Sequence, residues 1–103
     1  MELLTATEAV NLLRQCLESG RIVLTRHFRE ELQADGLSLQ EAYYVLRTGT
    51  VFDPPEPDIK TGEWKYRVEG AEPDGKWLVI IFCFKEVDTV FLITVWSVEQ
   101  ARR

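Results

Sequence analysis

The strongest constraint on the fold of this chain is an apolar run from Trp77 to Phe84, which reads WLVIIFCF. A strand with one exposed face carries polar residues at every second position, and this run carries none. It is also far too short to span a bilayer. The run therefore predicts a central strand that is covered on both faces.

We place this central strand at 76–85. The segments on either side of it, 63–70 and 89–97, alternate between residues for one face and residues for the other. Turn-forming residues at 71–75 and 86–88 separate the three segments and predict two consecutive hairpins. We expect an antiparallel meander with the apolar strand in the middle. Val51-Phe52 is expected to form a brief further strand.

The residues before position 50 show helical spacing instead. Thr5 and Ser38 each stand three residues before a glutamate, which is the pattern of a capping box. Thr25 is a candidate cap for a middle helix that runs to about Ala34, after a short extended piece at 21–24. Helices followed by a meander predict an α+β fold, in which N-terminal helices pack on one face of a C-terminal antiparallel sheet.

Length and composition predict one small domain. The 103 residues are 46% hydrophobic and 28% charged, which is ordinary for a globular protein. The N-terminus lacks the basic stretch and apolar core of a signal peptide. Cys16 and Cys83 are too few for a disulfide framework. We expect a single cytoplasmic domain, residues 1–103, with no membrane partner.

The net charge of −5 is concentrated in one segment. Residues 53–74 hold seven acidic side chains against three basic ones, a balance of −4. A nucleic-acid binder normally has a basic excess, because neutralised phosphates supply most of its affinity. The charge pattern therefore counts against an RNA or DNA partner and fits a basic protein better.

The strand at 63–70 divides its side chains between two faces. Its apolar residues alternate with charged ones, so Lys65 and Arg67 lie opposite Tyr66. Two cations on one face can meet a phosphate. They can equally pair with neighbouring acids such as Glu63 and Glu69. We expect Tyr66 in the core, with its hydroxyl reaching the edge.

His27 is the only histidine. If Thr25 caps the middle helix, His27 lies in its first turn, where the helix dipole favours the neutral imidazole. A neutral imidazole can act as a general base. The alternative is a histidine that only hydrogen-bonds to the sheet or to a loop. Lys85, at the end of the apolar strand, is a further source of positive charge.

Strict alternation along the last strand places Thr94 and Trp96 on one face with Val90 and Leu92. If that face points away from the helices, Thr94 and Trp96 join the two cations and can help to stack a base. If it points towards them, Trp96 packs under a helix. The sequence shows no metal-ligand cluster, glycine-rich phosphate loop or nucleophile elbow, so neither a metal nor a cofactor is expected.

Several of these features together resemble the domain of unknown function 4258 family. They are His27 with the helix pair that follows, the run WKYRVEG at 64–70, the turn Asp74-Gly75 and the closing LITVW at 92–96. The resemblance covers roughly residues 22–97. Members of this family are similar to the RelE, BrnT and MqsR toxins, and many are encoded beside an antitoxin with an MqsA-like zinc finger.

The resemblance implies the toxin component of a type II toxin–antitoxin system, which cleaves mRNA without a metal and binds a cognate antitoxin. The residues that match or support such a site are His27, Lys65, Tyr66, Arg67, Lys85, Thr94 and Trp96.

In the implied mechanism, His27 is the general base or acid, and Arg67 stabilises the developing phosphorane charge with help from Lys65 or Lys85. Trp96 or Tyr66 stacks the base. The chain departs from the family pattern after the histidine, where Glu31 and Asp35 stand in place of arginines.

The alternative function is a non-catalytic protein-binding module that retains the toxin fold. In this hypothesis the acidic segment 53–74 faces a basic partner. The free edge of the last strand, or of Val51-Phe52, offers backbone groups for strand addition.

Overall fold

The computed structural model describes residues 1–99 and contains three helices and five strands. The helices are α1 (Ala6–Ser19), α2 (Arg26–Ala34) and α3 (Leu39–Thr48). The strands are β1 (Arg21–Leu24), β2 (Glu56–Pro57), β3 (Trp64–Ala71), β4 (Trp77–Glu86) and β5 (Thr89–Val98). The α+β class and the order of helices before the main strands are confirmed.

The helix starts lie where the sequence predicts them. Thr5 and Ser38 each accept a hydrogen bond from the N–H of the third residue of their helix, and the carboxylate of that glutamate accepts one from the cap N–H. Thr25 caps α2 by accepting from the Phe28 N–H. Each cap satisfies N–H groups that the helix itself leaves without a partner.

The sheet is mixed, with the order β1-β5-β4-β3-β2. The hairpin partners β3, β4 and β5 are antiparallel, as expected. However, the extended piece at 21–24 joins the same sheet as β1 and runs parallel to β5. The expectation of a wholly antiparallel sheet is therefore wrong at this edge.

The expected strand at Val51-Phe52 is also wrong. Thr50 makes an isolated antiparallel bridge with Glu69, and the chain then leaves the sheet. It returns only as the two-residue β2, which pairs with Trp64 and Lys65 of β3. The prolines around β2 explain its shortness, because proline has no N–H to donate to a strand ladder.

The core lies between the helices and one face of the sheet. Phe28, Leu13 and Leu46 from the helices share one hydrophobic cluster with alternate residues of β3 and β4. Tyr66 is 2% exposed, and its ring packs 5.6 Å from that of Phe82. Its hydroxyl accepts a hydrogen bond from the Leu4 N–H. The prediction that Tyr66 belongs to the core is confirmed.

Helix α2 covers the edge of β5 beyond the end of the short strand β1. The Thr25 hydroxyl donates to the carbonyls of Leu92 and Ile93, where the β1 pairing stops. Further along, the Asp35 carboxylate accepts from both the N–H and the hydroxyl of Ser97. The alternative hypothesis expected this edge to be free for strand addition, but β1 and α2 cover it.

Candidate functional site

The sheet face opposite the hydrophobic core is called the open face below. Lys65, Arg67 and Glu69 of β3 lie on it, since the intervening residues Tyr66 and Val68 are in the core cluster. No residue of α1, α2 or α3 lines the cavity on this face in the part of the chain from 1 to 99. The helices therefore do not enclose this cavity.

An irregularity in β5 decides which of its residues reach the open face. Thr94 pairs with Ile81, but the next pair along β4 is Phe82 with Leu92, so Ile93 is an extra residue in the strand. Such a bulge reverses the alternation of side chains.

The predicted alternation of β5 is consequently wrong, although Thr94 and Trp96 do lie beside the two cations of β3. Val90 and Leu92 face the core before the bulge, and Val95 faces it afterwards. Thr94 and Trp96 instead line a cavity together with the two cations of β3. Because of the bulge, Thr94 and Trp96 lie on the same face as the two cations, whereas Val90 and Leu92 face the core.

The cavity on the open face has a volume of about 460 Å³. Strands β3, β4 and β5 form its floor, and the proline loop before β2 forms one wall. Its lining residues are Asp53, Pro54, Pro55, Glu56, Lys65, Arg67, Ile81, Ile93, Thr94 and Trp96.

Arg67 is the most constrained charged residue of this cavity. Its guanidinium carbon lies 5.5 Å from the centroid of the Trp96 ring, within range of a cation–π interaction. Its Nε donates to Glu69 Oε2 over 3.0 Å and lies 4.0 Å from Asp53 Oδ2. The guanidinium is thus held by an aromatic ring and two carboxylates, and its charge is largely balanced.

Glu69 provides the buried anchor for this arrangement. The residue is only 2% exposed, and its second oxygen, Oε1, accepts from Trp77 Nε1 over 3.0 Å. A buried carboxylate needs such donors, because its desolvation is costly without them. The expected pairing of Arg67 with a neighbouring acid is therefore present, alongside its place in the cavity.

Lys65 lies directly across from Glu56 on the neighbouring strand β2. Together with Asp53, Glu56 adds negative charge to the wall that faces the two cations. Sequence analysis did not single out Asp53 or Glu56 as site residues. The acidic balance of 53–74 was a signal for them, but only the folding back of the proline loop brings them to the cavity.

Lys85 lies apart from this cavity. Its Nζ is 3.0 Å from Glu63 Oε1 and 5.3 Å from the centroid of the Phe91 ring. The hydrogen bond to Glu63 raises the pKa of Lys85. Lys85 does not line this cavity in the described part of the chain. The structure instead shows it in an ion pair with Glu63.

His27 is not brought to the cavity either. It lies in the first turn of α2, as predicted, with its side chain 60% exposed and its Nε2 3.9 Å from Glu31 Oε1. It does not line the cavity described above. Tyr66 is likewise separate, since its ring lies on the core side of the sheet.

Three carboxylates form a second polar group, at the turn between β3 and β4. Oxygens of Glu41, Glu72 and Asp74 lie within 4.8 Å of one another. Sequence analysis found no metal-ligand cluster, because these residues come from separate segments of the chain. Only the docking of α3 against the turn brings them together.

The chain belongs to the family described as a domain of unknown function, DUF4258, which matches residues 24–97. This match spans the Lys65–Gly70 run, the floor of the cavity and the bulge in β5. No curated protein and no solved structure matches the chain.

None of the three helices in residues 1–99 is long and apolar enough to cross a membrane.

Proposed function

We propose that this protein is the toxin component of a toxin–antitoxin pair and that it binds and cleaves RNA on the open face. The observation that carries the proposal is the Arg67 guanidinium, placed over Trp96 in a cavity that also holds Lys65 and Thr94. A cation and an aromatic ring at one site are what a phosphate and its attached base require.

The binding step uses the cations for the phosphate and the aromatic system for the base. Arg67 covers one part of the Trp96 ring, so the base stacks on the guanidinium plane or on the remaining indole surface. Thr94 supplies a hydroxyl that can donate to a phosphate or base oxygen. Lys65 reaches the same phosphate as a mobile point charge.

In the cleavage step, a carboxylate of the cavity wall acts as the general base. Glu56 accepts the proton of a ribose 2′-OH, and the resulting oxygen attacks the adjacent phosphorus. The bond to the 5′-oxygen breaks, and the Lys65 ammonium donates the proton which that oxygen needs. Arg67 stabilises the charge on the phosphorane. The products are a 2′,3′-cyclic phosphate and a free 5′-hydroxyl.

This assignment replaces His27 as the proton acceptor. The Glu56 carboxylate lines the cavity with Lys65 and Arg67, whereas His27 is exposed on α2. The two mechanisms make opposite predictions for single variants. Glu56→Gln should lower the cleavage rate by about 10²-fold or more if the carboxylate is the base, and His27→Ala should leave the rate unchanged.

The test uses purified protein and a labelled single-stranded oligoribonucleotide, in parallel with induced expression in bacteria. Wild type should release a fragment ending in a cyclic phosphate, and one 2′-deoxy substitution at the cleaved position should block the reaction. Lys65→Ala and Glu56→Gln should each lower the cleavage rate by about 10²-fold or more. Growth arrest should be lost in the same variants.

Arg26→Ala is the matched control, because Arg26 pairs with Glu30 on the exposed side of α2. It should cleave like wild type. Melting temperatures of all variants separate loss of chemistry from loss of fold. A wild type that neither cleaves nor arrests growth contradicts the proposal, and so do fully active Lys65→Ala and Glu56→Gln variants.

A second candidate function is a non-catalytic module that binds a basic protein. The acidic wall formed by Asp53 and Glu56 favours it. In this case the cognate antitoxin, with an MqsA-like zinc finger, or another basic protein occupies the open face. Binding that weakens with salt and with Glu56→Gln, combined with no RNA cleavage, would support this candidate over the first.

A further inference from the structure

Glu72 is a buried carboxylate with an incomplete set of partners. The residue is 2% exposed, and its Oε1 accepts from the Lys76 N–H over 2.7 Å. Its Oε2 is buried and meets no N–H, alcohol or phenol donor of residues 1–99. An ionised oxygen in that position carries a large desolvation penalty unless a positive charge or a proton meets it.

The groups next to Glu72 increase this penalty. Oxygens of Glu41 and Asp74 lie within 4.8 Å of a Glu72 oxygen, and all three residues line one cavity of about 830 Å³. Glu41 already accepts from the Ser38 N–H through Oε1, which holds its carboxyl group in place. Three acids at this spacing repel one another in the absence of a counter-charge.

The nearby cations of the chain do not supply that counter-charge by direct pairing. Within residues 1–99 no ion pair of 4.0 Å or less joins a lysine or arginine to any of the three acids. The pKa of Glu41 is lowered mainly by the Ser38 backbone hydrogen bond and next by a side-chain hydrogen bond with Glu72, and Lys76 adds a smaller contribution. However, Lys76 is exposed, so its ammonium group can move away.

We propose that Glu41, Glu72 and Asp74 form a binding site for a hard divalent cation of the size of Ca²⁺. Carboxylate oxygens are the ligands that such ions prefer. Ca²⁺–oxygen distances of about 2.3–2.6 Å allow two ligating oxygens to be as much as about 5 Å apart, which fits the observed spacing. Water in the cavity completes the coordination.

A cation at this site would link the turn between β3 and β4 to the first turn of α3. Glu72 and Asp74 come from the turn, and Glu41 comes from the helix. The site is lined by none of the residues that line the cavity on the open face. The inference is therefore independent of the proposed RNA chemistry.

The first test is the effect of CaCl₂ on the melting temperature of the protein after treatment with a chelator. Wild type should gain several degrees at saturating Ca²⁺, because an ion that binds only the folded state stabilises it. Glu72→Gln removes the buried charge, and Asp74→Asn removes an exposed ligand with little risk to folding. Both variants should lose most of the gain.

The second test uses Tb³⁺ as a luminescent substitute for Ca²⁺. Tyr43 and Tyr44 line the same cavity, so excitation of tyrosine should sensitise emission from bound Tb³⁺. The affinity for Tb³⁺ should fall about tenfold or more in Asp74→Asn. Glu86→Gln is the control, because Glu86 is an exposed acid at the other end of β4, and it should behave like wild type.

Two results would overturn the proposal. One is a wild type whose melting temperature and Tb³⁺ emission do not respond, which means that a shared proton alone relieves the cluster. The other is an equal response in wild type, Glu72→Gln and Asp74→Asn, which places the bound ion on other acids of the chain.

Discussion

At the scale of single residues, the open face depends on side chains that position other side chains. Glu69 is buried and divides its two oxygens between Arg67 and Trp77. Arg67 in turn lies against Trp96. A substitution at Glu69 should therefore alter the positions of Arg67 and Trp96 in the cavity, although Glu69 itself does not line it.

Glu69→Gln should destabilise the fold by about 1–3 kcal/mol, because the Arg67 guanidinium loses its charged acceptor in a half-buried place. Urea denaturation measures this loss. Glu86→Gln, at an exposed site, should stay within about 0.5 kcal/mol of wild type. Equal stability of the two variants would show that the Glu69 pair adds nothing to the fold.

Cys83 predicts a dependence of stability on alkaline pH. Burial, with a further contribution from Glu63, raises the pKa of its thiol from 9.0 to about 11. The folded protein therefore holds this proton more tightly than the unfolded chain. The associated stability is complete below pH 9.0 and is lost as the pH rises to about 11.

Denaturation curves across this pH interval test the prediction, with Cys83→Ala as the variant. Its stability should fall less steeply with pH than that of wild type. Some fall remains, because the pKa values of Cys16, Tyr43 and Lys85 are also raised. Identical slopes in both proteins would show that the Cys83 thiol is not protected by burial.

At the scale of elements, the bulge in β5 and the start of α2 form one structural unit. The Thr25 hydroxyl accepts from the Phe28 N–H to cap the helix. It also donates to the carbonyls on either side of the bulge, those of Leu92 and Ile93. The irregular strand is thus stabilised by the helix that covers its edge.

Thr25→Ala should cost about 1–2 kcal/mol of stability, since both the cap and the carbonyl contacts are lost. Thr25→Ser retains the hydroxyl and should recover most of the loss. Hydrogen exchange should increase at the amides of 92–97 in the alanine variant. An unchanged exchange pattern there would show that the bulge persists without Thr25.

The elements also show how far sequence reasoning extends. Capping boxes and hairpin turns are local signals, and each start and turn they predicted lies within a residue or two of the observed position. The wrong predictions concern β1, the Val51-Phe52 strand and the faces of β5. Each of these depends on pairing with a distant segment, for which the local pattern holds no information.

At the scale of the whole molecule, charge limits the proposed binding of RNA. The chain carries a net charge of −5, and the cavity holds Lys65 and Arg67 opposite Asp53 and Glu56. A net negative charge does not favour long-range attraction of RNA. Affinity has to come from stacking and from a small number of direct phosphate contacts.

RNA affinity should accordingly show a weak salt dependence. Two phosphate contacts predict a slope of about −1.4 in a plot of log K against log salt for a single strand. Lys65→Ala should reduce the slope by about 0.7. Fluorescence anisotropy with a short labelled RNA measures both values. A slope several times steeper in wild type would place the RNA on a larger basic surface than this cavity.

The candidate site was predictable only in part, for a reason of geometry. Alternation along β3 is a local property, so Lys65 and Arg67 were assigned correctly to the face opposite Tyr66. His27 and Lys85 were suggested by residue type, and neither type nor spacing specifies which distant groups a side chain meets. Both lie outside the cavity in the described structure.

The sequence by itself determined the helix caps, the hairpins, the central apolar strand and the cationic face of β3. These follow from interactions between residues close together in the chain. Tertiary structure alone decided the parallel edge strand, the reversal of side chains at Ile93 and the acidic wall of the cavity. It also decided the meeting of Glu41 with Glu72 and Asp74. Those features arise where segments far apart in sequence pack together, and the free energy of that packing overrides local preference.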